Sequence, residues 1–247
     1  MYRTLIDFVA ERVPGGRPVW NAASWLKATG NRWRYGERNA LHVFTNIYRN
    51  NRWDDPESRS GGGSNLRTTE AVRRELPGVL REFSVKSLLD VPCGDFYWMK
   101  EVDFPPDLLY IGGDIVRELI EADNRLYGRG HVSFQQLDLL KGPLPPVDLI
   151  LCRDCLVHFS FADVARAIRV LKGSGSTYLL VTHYAGGRNN SDILTGRWRP
   201  LRLTAAPFNF PEPLRLIDER DREDGGRYSD KSLALYRLAD LPDVAKA

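Results

Sequence analysis

Two aspartates, each closing an apolar run, are the residues of this sequence best placed to do chemistry. Ser87-Leu88-Leu89-Asp90-Val91-Pro92-Cys93-Gly94-Asp95-Phe96 is an apolar run that ends in an acid and a tight turn. Leu108-Leu109-Tyr110-Ile111-Gly112-Gly113-Asp114 ends in another acid about two dozen residues later. Short apolar runs bounded by turn residues read as buried strands. An Asp followed by Gly then puts a carboxylate and backbone N–H groups at the carboxyl edge of a sheet, where open α/β sheets bind ligands. An acid ending the second strand is placed to accept hydrogen bonds from ribose hydroxyls. The pair argues for an adenosine-containing cofactor. Pro92 has no N–H, so the turn is expected to offer the amides of Cys93, Gly94 and Asp95.

The elements that must position these acids alternate. Strands are expected at 86–91, 108–113, 132–136, 147–152 and 176–182, and helices near 95–101, 115–127 and 160–172. That alternation implies βαβ units and a parallel sheet. Two further strands, Leu214 to Glu219 and Ser232 to Leu238, have only a polar loop of about a dozen residues between them. Such a loop suits an antiparallel hairpin, because a parallel pair needs a crossover.

Residues 1–58 read as a helical extension, with one helix on Leu5, Ile6, Phe8, Val9 and Val13 and another on Ala40, Leu41, Val43, Phe44, Ile47 and Tyr48. Residues 59–84 hold the loop Ser60-Gly61-Gly62-Gly63-Ser64, which is either a flexible linker or a segment closing over a ligand. They also hold a leading helix that Thr68 or Thr69 caps, with a kink expected at Pro77-Gly78. Residues 85–247 form the α/β domain.

Composition limits the function. The chain has 247 residues, 27% charged and 43% hydrophobic, with a net charge of +3. That charge is too small to imply a nucleic-acid partner. Arg32, Arg34, Arg38, Arg49 and Arg52 do mix with Trp33, Tyr35, Tyr48 and Trp53, a pairing that can mark nucleic-acid binding. A helical surface packed on its own domain is the preferred reading. No apolar run reaches the roughly 18 residues of a membrane span. Arg3, Asp7, Glu11 and Arg12 break the pattern of a usual signal peptide. Three cysteines make no disulfide framework, so a reducing, cytoplasmic location is expected.

These residues together resemble the class I S-adenosylmethionine-dependent methyltransferases. The first motif of that family, often L-D-x-G-C-G-x-G, is matched at Leu89-Asp90-Val91-Pro92-Cys93-Gly94-Asp95-Phe96 in its acid, its Cys and one Gly. It departs at Pro92 and Phe96, where the family prefers Gly. Asp114 matches the acid expected at the ribose, with Ile115 beside it, and Leu137-Asp138-Leu139 the segment expected beside the adenine. Asp148 to Asp154, with Arg153, matches the fourth strand and the segment expected near the methionine part. The terminal hairpin matches the family's antiparallel seventh strand. The resemblance covers residues 85 to 240 and implies S-adenosylmethionine as cofactor, held by Asp90, Cys93, Gly94, Asp95, Phe96, Asp114, Ile115, Asp138, Leu139 and Arg153. The fold it implies is a Rossmann-like, seven-stranded, mostly parallel sheet with helices on both faces.

Residues for the acceptor side are less constrained. Cys152-Arg153-Asp154-Cys155 is formally a Cys-x-x-Cys, but there is no second pair to complete a zinc site, and a strand end is the better reading. Asp154 is a candidate acid or base. His158 and His183 are equal candidates for the base that takes a hydroxyl proton near neutral pH. Positioning alone can also supply much of the rate, since the methyl donor is already a strong electrophile. The long segment after the fifth strand reads as a substrate-side lid or a structural crossover. It offers Asn189, Asp192, Arg197, Trp198 and Phe208, with Tyr184 just before it. The expected reaction is methyl transfer to an oxygen, ahead of a nitrogen, of a small molecule or glycan. An RNA or protein methyltransferase using the basic, aromatic N-terminal region remains a rival, as does a non-catalytic cofactor-binding scaffold.

Overall fold

The structure, a computed structural model, describes residues 39–187, 189–220 and 226–244. The helix expected near Leu5 to Val13 and the cluster of Arg32, Trp33, Arg34, Tyr35 and Arg38 lie outside them. From Ala40 onward the chain belongs to one compact unit, so the helix α1 (Ala40–Arg49) is part of the same unit as the sheet.

The apolar runs become seven strands: β1 (Ser87–Asp90), β2 (Leu109–Asp114), β3 (Val132–Gln136), β4 (Leu149–Cys152), β5 (Tyr178–Tyr184), β6 (Arg215–Asp218) and β7 (Lys231–Arg237). They form one sheet in the order β3-β2-β1-β4-β5-β7-β6. Pairings from β3 through β5 are parallel, and β7 runs antiparallel to both β5 and β6. The strand order reverses between β1 and β4, which makes the carboxyl edge there the switch point where such sheets open a crevice.

Helices cover both faces, which is why the central strands are nearly uninterrupted apolar runs. Alternate residues feed two cores. Leu89, Ile150, Leu179 and Val181 pack with Val164, Ile168 and Leu171 of α4 (Phe161–Lys172). Leu88, Leu149, Leu151 and Leu180 pack with Val72, Leu76 and Leu80 of α2 (Glu70–Glu82) and with Leu119 and Ile120 of α3 (Arg117–Tyr127). Ser160 caps α4 by accepting the Asp163 N–H at 3.2 Å. No described helix is long and apolar enough to cross a membrane.

Three local expectations need correction. No α-helix forms at 95–101; turns lead instead to a short 3-10 helix at Met99–Glu101. Gly94 (φ 56°) and Phe96 (φ 55°) are left-handed, and this turns the Phe96 ring inward among Tyr110, Tyr127 and Phe134. The fifth strand runs two residues further than expected, to Tyr184, because its register with β7 continues to the Tyr184–Lys231 pair. Thr69 stands at the N-cap of α2 but makes no side-chain cap: its hydroxyl donates to the Asn65 carbonyl at 2.8 Å.

Gly112 in β2 sits where a methyl group would collide with the buried Phe134 ring and press on Cys93 Sγ, 3.2 Å away. Gly112→Ala is expected to cost about 1–3 kcal/mol of stability by overpacking, read as a lower denaturant midpoint with unchanged slope.

Candidate functional site

A cavity of about 380 Å³ opens at the carboxyl edge of the sheet, within the size range of small-molecule sites. Topology brings its parts together. The ends of β1, β2 and β4 supply Asp90, Asp114 and the Arg153-Asp154 pair. Because β7 is antiparallel, its first residue, Lys231, stands beside the last residue of β5, Tyr184, and both face the cavity.

The two strand-end acids line this one cavity. Asp90 is 2% exposed and accepts the Tyr110 hydroxyl at 2.8 Å. Burial pushes its carboxyl up to about 7, against the pull of the Tyr110 hydrogen bond and the Arg153 charge. Asp114, 7% exposed, accepts the Val116 N–H at 2.9 Å. Burial raises it to about 6, opposed by the backbone amides of Val116, Gly94 and Ile115. Cys93, Gly94, Ile115, Asp138 and Leu139 also line the cavity. Asp138 accepts the Leu140 N–H at 2.9 Å and pairs with Lys141 at 3.0 Å.

The turn amides are mostly engaged, contrary to the expectation that Cys93 and Asp95 would offer theirs. The Cys93 N–H bonds the Gly113 carbonyl at 2.8 Å, and the Asp95 N–H bonds Ser60 Oγ at 3.1 Å. Asp95 and Phe96 do not line the cavity. The Asp95 carboxylate instead holds the Ser-Gly loop, accepting from Ser58 Oγ at 2.9 Å, the Arg59 N–H at 2.8 Å and Ser60 Oγ at 3.2 Å. That loop lines the cavity from Arg59 to Ser64. It approaches so closely that a Cβ on Gly94 would strike the Ser60 side chain, and one on Gly63 would lie 2.8 Å from Asp154 Oδ2.

Farther along the cavity lies a buried cluster of four charges. Arg153 grips Glu219 through Nε at 3.2 Å and a terminal nitrogen at 2.7 Å. Its other terminal nitrogen is 3.2 Å from Asp154. Lys231 Nζ lies 2.8 Å from Asp154 and 3.3 Å from Glu219. Burial opposes every charge here, yet the Lys231 and Arg153 cations hold the Asp154 carboxyl down to about 2. The paired carboxylates in turn raise Arg153 and Lys231. Asp154 is left-handed (φ 49°), its N–H bonded to Thr182 Oγ1 at 2.7 Å.

His158 lines the cavity and His183 does not. The His158 Nδ1 lies 2.9 Å from the Arg197 carbonyl, which can only accept. Nδ1 therefore carries the proton, and Nε2 keeps its lone pair. Burial lowers the His158 pKa, so the ring is neutral at pH 7. His183 is inside β5 rather than after it, and alternation turns it away from the cleft that Tyr184 faces. Its Nδ1 accepts the Leu203 N–H at 3.1 Å, and burial lowers it to about 4.

From Arg199 on, the segment after β5 packs as a crossover, with Leu201, Leu203, Phe208 and Phe210 buried. Trp198 alone of its expected substrate residues lines the cavity. Asn189 is exposed and away from it. Asp192 accepts the Phe161 N–H at the start of α4 at 2.7 Å. Arg197 acts through its carbonyl on His158, and Phe208 packs edge-on to Phe161. Arg49 of the basic stretch pairs with Glu118. Sequence reasoning missed Trp53, Trp98, Tyr228 and Lys231 in the wall and Glu219 behind it. Lys231 was within reach of the hairpin register, since an antiparallel last strand must start at the ligand edge. The others come from loops without periodicity.

No family model matches the sequence, and no curated protein does. Solved structures do. Human N-acetylserotonin methyltransferase, in complex with SAM, is 16% identical with a TM-score of 0.51, over 90% of this chain and 68% of that one. Magnesium protoporphyrin IX methyltransferase from Synechocystis, with bound SAM, is 13% identical (TM-score 0.45, 64% of this chain and 82% of that one). The N-methyltransferase NodS from Bradyrhizobium japonicum, in complex with S-adenosylhomocysteine, is 19% identical (TM-score 0.43, 60% and 74%). The fold is that of the class I S-adenosylmethionine-dependent methyltransferases, with its Rossmann-like sheet and antiparallel terminal hairpin.

Glu219→Gln leaves two buried cations facing one carboxylate. It is expected to destabilise the protein by about 3–5 kcal/mol, measured by equilibrium unfolding, since removing one member strands a buried charge.

Proposed function

We propose that the protein is an S-adenosylmethionine-dependent methyltransferase acting on a hydroxyl of a small molecule or glycan. One observation carries the reading: a single cavity in this fold is lined by two desolvated strand-end carboxylates and by a neutral histidine whose Nε2 is unprotonated. The residues present fit the cofactor. Asp114 accepts the backbone amides of Val116, Gly94 and Ile115 and keeps an acceptor site for a ribose hydroxyl. Asp90 feels the Arg153 charge but makes no ion pair among the described residues, and it suits the ammonium of a methionine moiety. Leu137, Leu139 and Ile115 offer apolar surface for a base, with Asp138 beside them. Bound there, S-adenosylmethionine would supply an electrophilic methyl group for the acceptor oxygen, with the sulfonium sulfur as leaving group.

The chain's own residues then have defined tasks. His158 Nε2 takes the hydroxyl proton. The Arg197 carbonyl keeps the ring in the required tautomer. The Asp154 charge favours the imidazolium that forms, against the opposing Arg199 and Lys231 cations. The Ser-Gly loop, tied down by Asp95, helps exclude water from the cavity.

Calorimetric titration with S-adenosylmethionine tests the cofactor. A cationic ligand favours the ionised carboxylate, so Asp90, at about 7 in the free protein, must release a proton on binding. Affinity is expected to fall roughly tenfold from pH 8 to pH 6, and Asp114→Ala to lose roughly ten- to a hundredfold. Absence of binding to the wild-type protein would sink the proposal. For the base, His158→Ala is expected to lower kcat by about 10²–10⁴ while cofactor binding persists, once an acceptor is in hand.

A further inference from the structure

The acceptor side of the cavity consists largely of aromatic rings. Tyr184, Trp198 and Tyr228 meet edge to face: Trp198 and Tyr228 centroids are 4.9 Å apart, Tyr184 and Tyr228 6.1 Å, Tyr184 and Trp198 6.3 Å. Trp53 lies along the His158 ring, 5.4 Å between centroids and 34° between planes, so the imidazole is held on both its edge and its face. Trp198 is nevertheless 41% exposed and lines the cavity, so part of its indole stays open to a ligand.

The four charges of the cluster beside these rings cancel, while Arg227, exposed and outside the cavity lining, lies over the Tyr228 ring, 5.6 Å from its centroid. Arg153 and Lys231 are matched by Asp154 and Glu219, and each of the four makes at least two ion-pair contacts within the cluster. A cationic acceptor would need a carboxylate without a partner. An anionic one would have to displace Asp154 from Lys231. Arg59, in the loop above, is turned onto the Tyr48 ring, 5.9 Å from its centroid. A sugar ring brings several hydroxyls, and each one buried without a partner costs about 1–3 kcal/mol. The polar side chains of the charge cluster are already committed to one another.

We propose that the acceptor is a neutral, planar aromatic alcohol, its ring packed against Trp198 and Tyr228 and its single hydroxyl directed to His158 Nε2. This rests on the methyltransferase reading and narrows the substrate class within it. An aromatic ring gains both from apolar burial and from edge-to-face contact with such a wall, and it asks for one hydrogen bond, which His158 provides.

The test uses 2-naphthol as probe and methyl glucoside as rival, each titrated into the full chain saturated with S-adenosylhomocysteine. Saturable 2-naphthol binding is expected, weakened roughly three- to tenfold in Trp198→Ala and restored in Trp198→Phe, with S-adenosylhomocysteine bound throughout. Methyl glucoside at tenfold excess should not displace the probe. The aromatic assignment is overturned if the loaded protein shows no saturable 2-naphthol binding, if Trp198→Ala binds it as well as wild type, or if the glucoside displaces it. Failure to bind S-adenosylhomocysteine at all is a different result, which removes the cofactor reading and this inference with it.

Discussion

The buried four-charge cluster holds the cleft to the sheet. Arg153 follows β4, Glu219 follows β6 and Lys231 begins β7, so three chain segments from across half the sheet meet through one set of ion pairs. Each charge taken out of water is costly on its own, and only mutual neutralisation with good geometry makes the arrangement tolerable. Two cations and two anions achieve that here, with a two-point grip of Arg153 on Glu219 giving direction as well as energy. The consequence for function is an inner wall that is rigid and polar yet electrically balanced. It fixes Asp154 next to the Ser-Gly loop without adding a net charge to that wall of the cavity.

The two strand-end acids work on the opposite principle. Asp90 and Asp114 are desolvated with no ion-pair partner among the described residues, and both are raised, to about 7 and 6. A group whose folded pKa lies above its unfolded value stabilises the fold at low pH and loses that contribution as pH rises through the folded pKa. At neutral pH these carboxylates therefore weigh against the free protein. A ligand that brings cationic charge and hydroxyl donors reverses that sign. The unfavourable burial is thus a reserve that the right ligand releases, in keeping with the general clustering of perturbed groups at functional sites.

How much of this the sequence disclosed follows from which signals are periodic. Strands buried on both faces leave continuous apolar runs, so all seven were legible, as was the antiparallel hairpin from its short connection. Asp90 and Asp114 were legible because a strand end is a fixed address in a parallel sheet. His158 and His183 were not separable, because the choice depends on whether β5 ends at 182 or 184, and element ends are set by pairing partners far away in sequence. Asp192, Arg197 and Phe208 have the composition of a binding loop but spend their polar and aromatic groups on capping α4, orienting His158 and filling the core. Composition reports what a loop can bond, not whether it bonds its own chain.

The departures from the usual glycine-rich turn have a physical account at Phe96. A bulky residue at φ 55° costs on the order of 1–2 kcal/mol relative to glycine. Burying the ring contributes about 1.5–3 kcal/mol, and its contacts with Tyr110, Tyr127 and Phe134, at centroid distances of 5.0, 5.2 and 5.1 Å, add to that. Packing therefore outweighs strain, and the turn keeps the conformation that glycine would give. The gain also reaches the site. Tyr110, which packs on Phe96, is the residue whose hydroxyl holds Asp90, so the aromatic cluster under the turn fixes the carboxylate at its top. Asp95, carried on the same turn, ties down the Ser-Gly loop. In this chain the first motif trades backbone freedom for a packed base, and one surviving glycine, Gly94, suffices where the loop comes too close for any side chain.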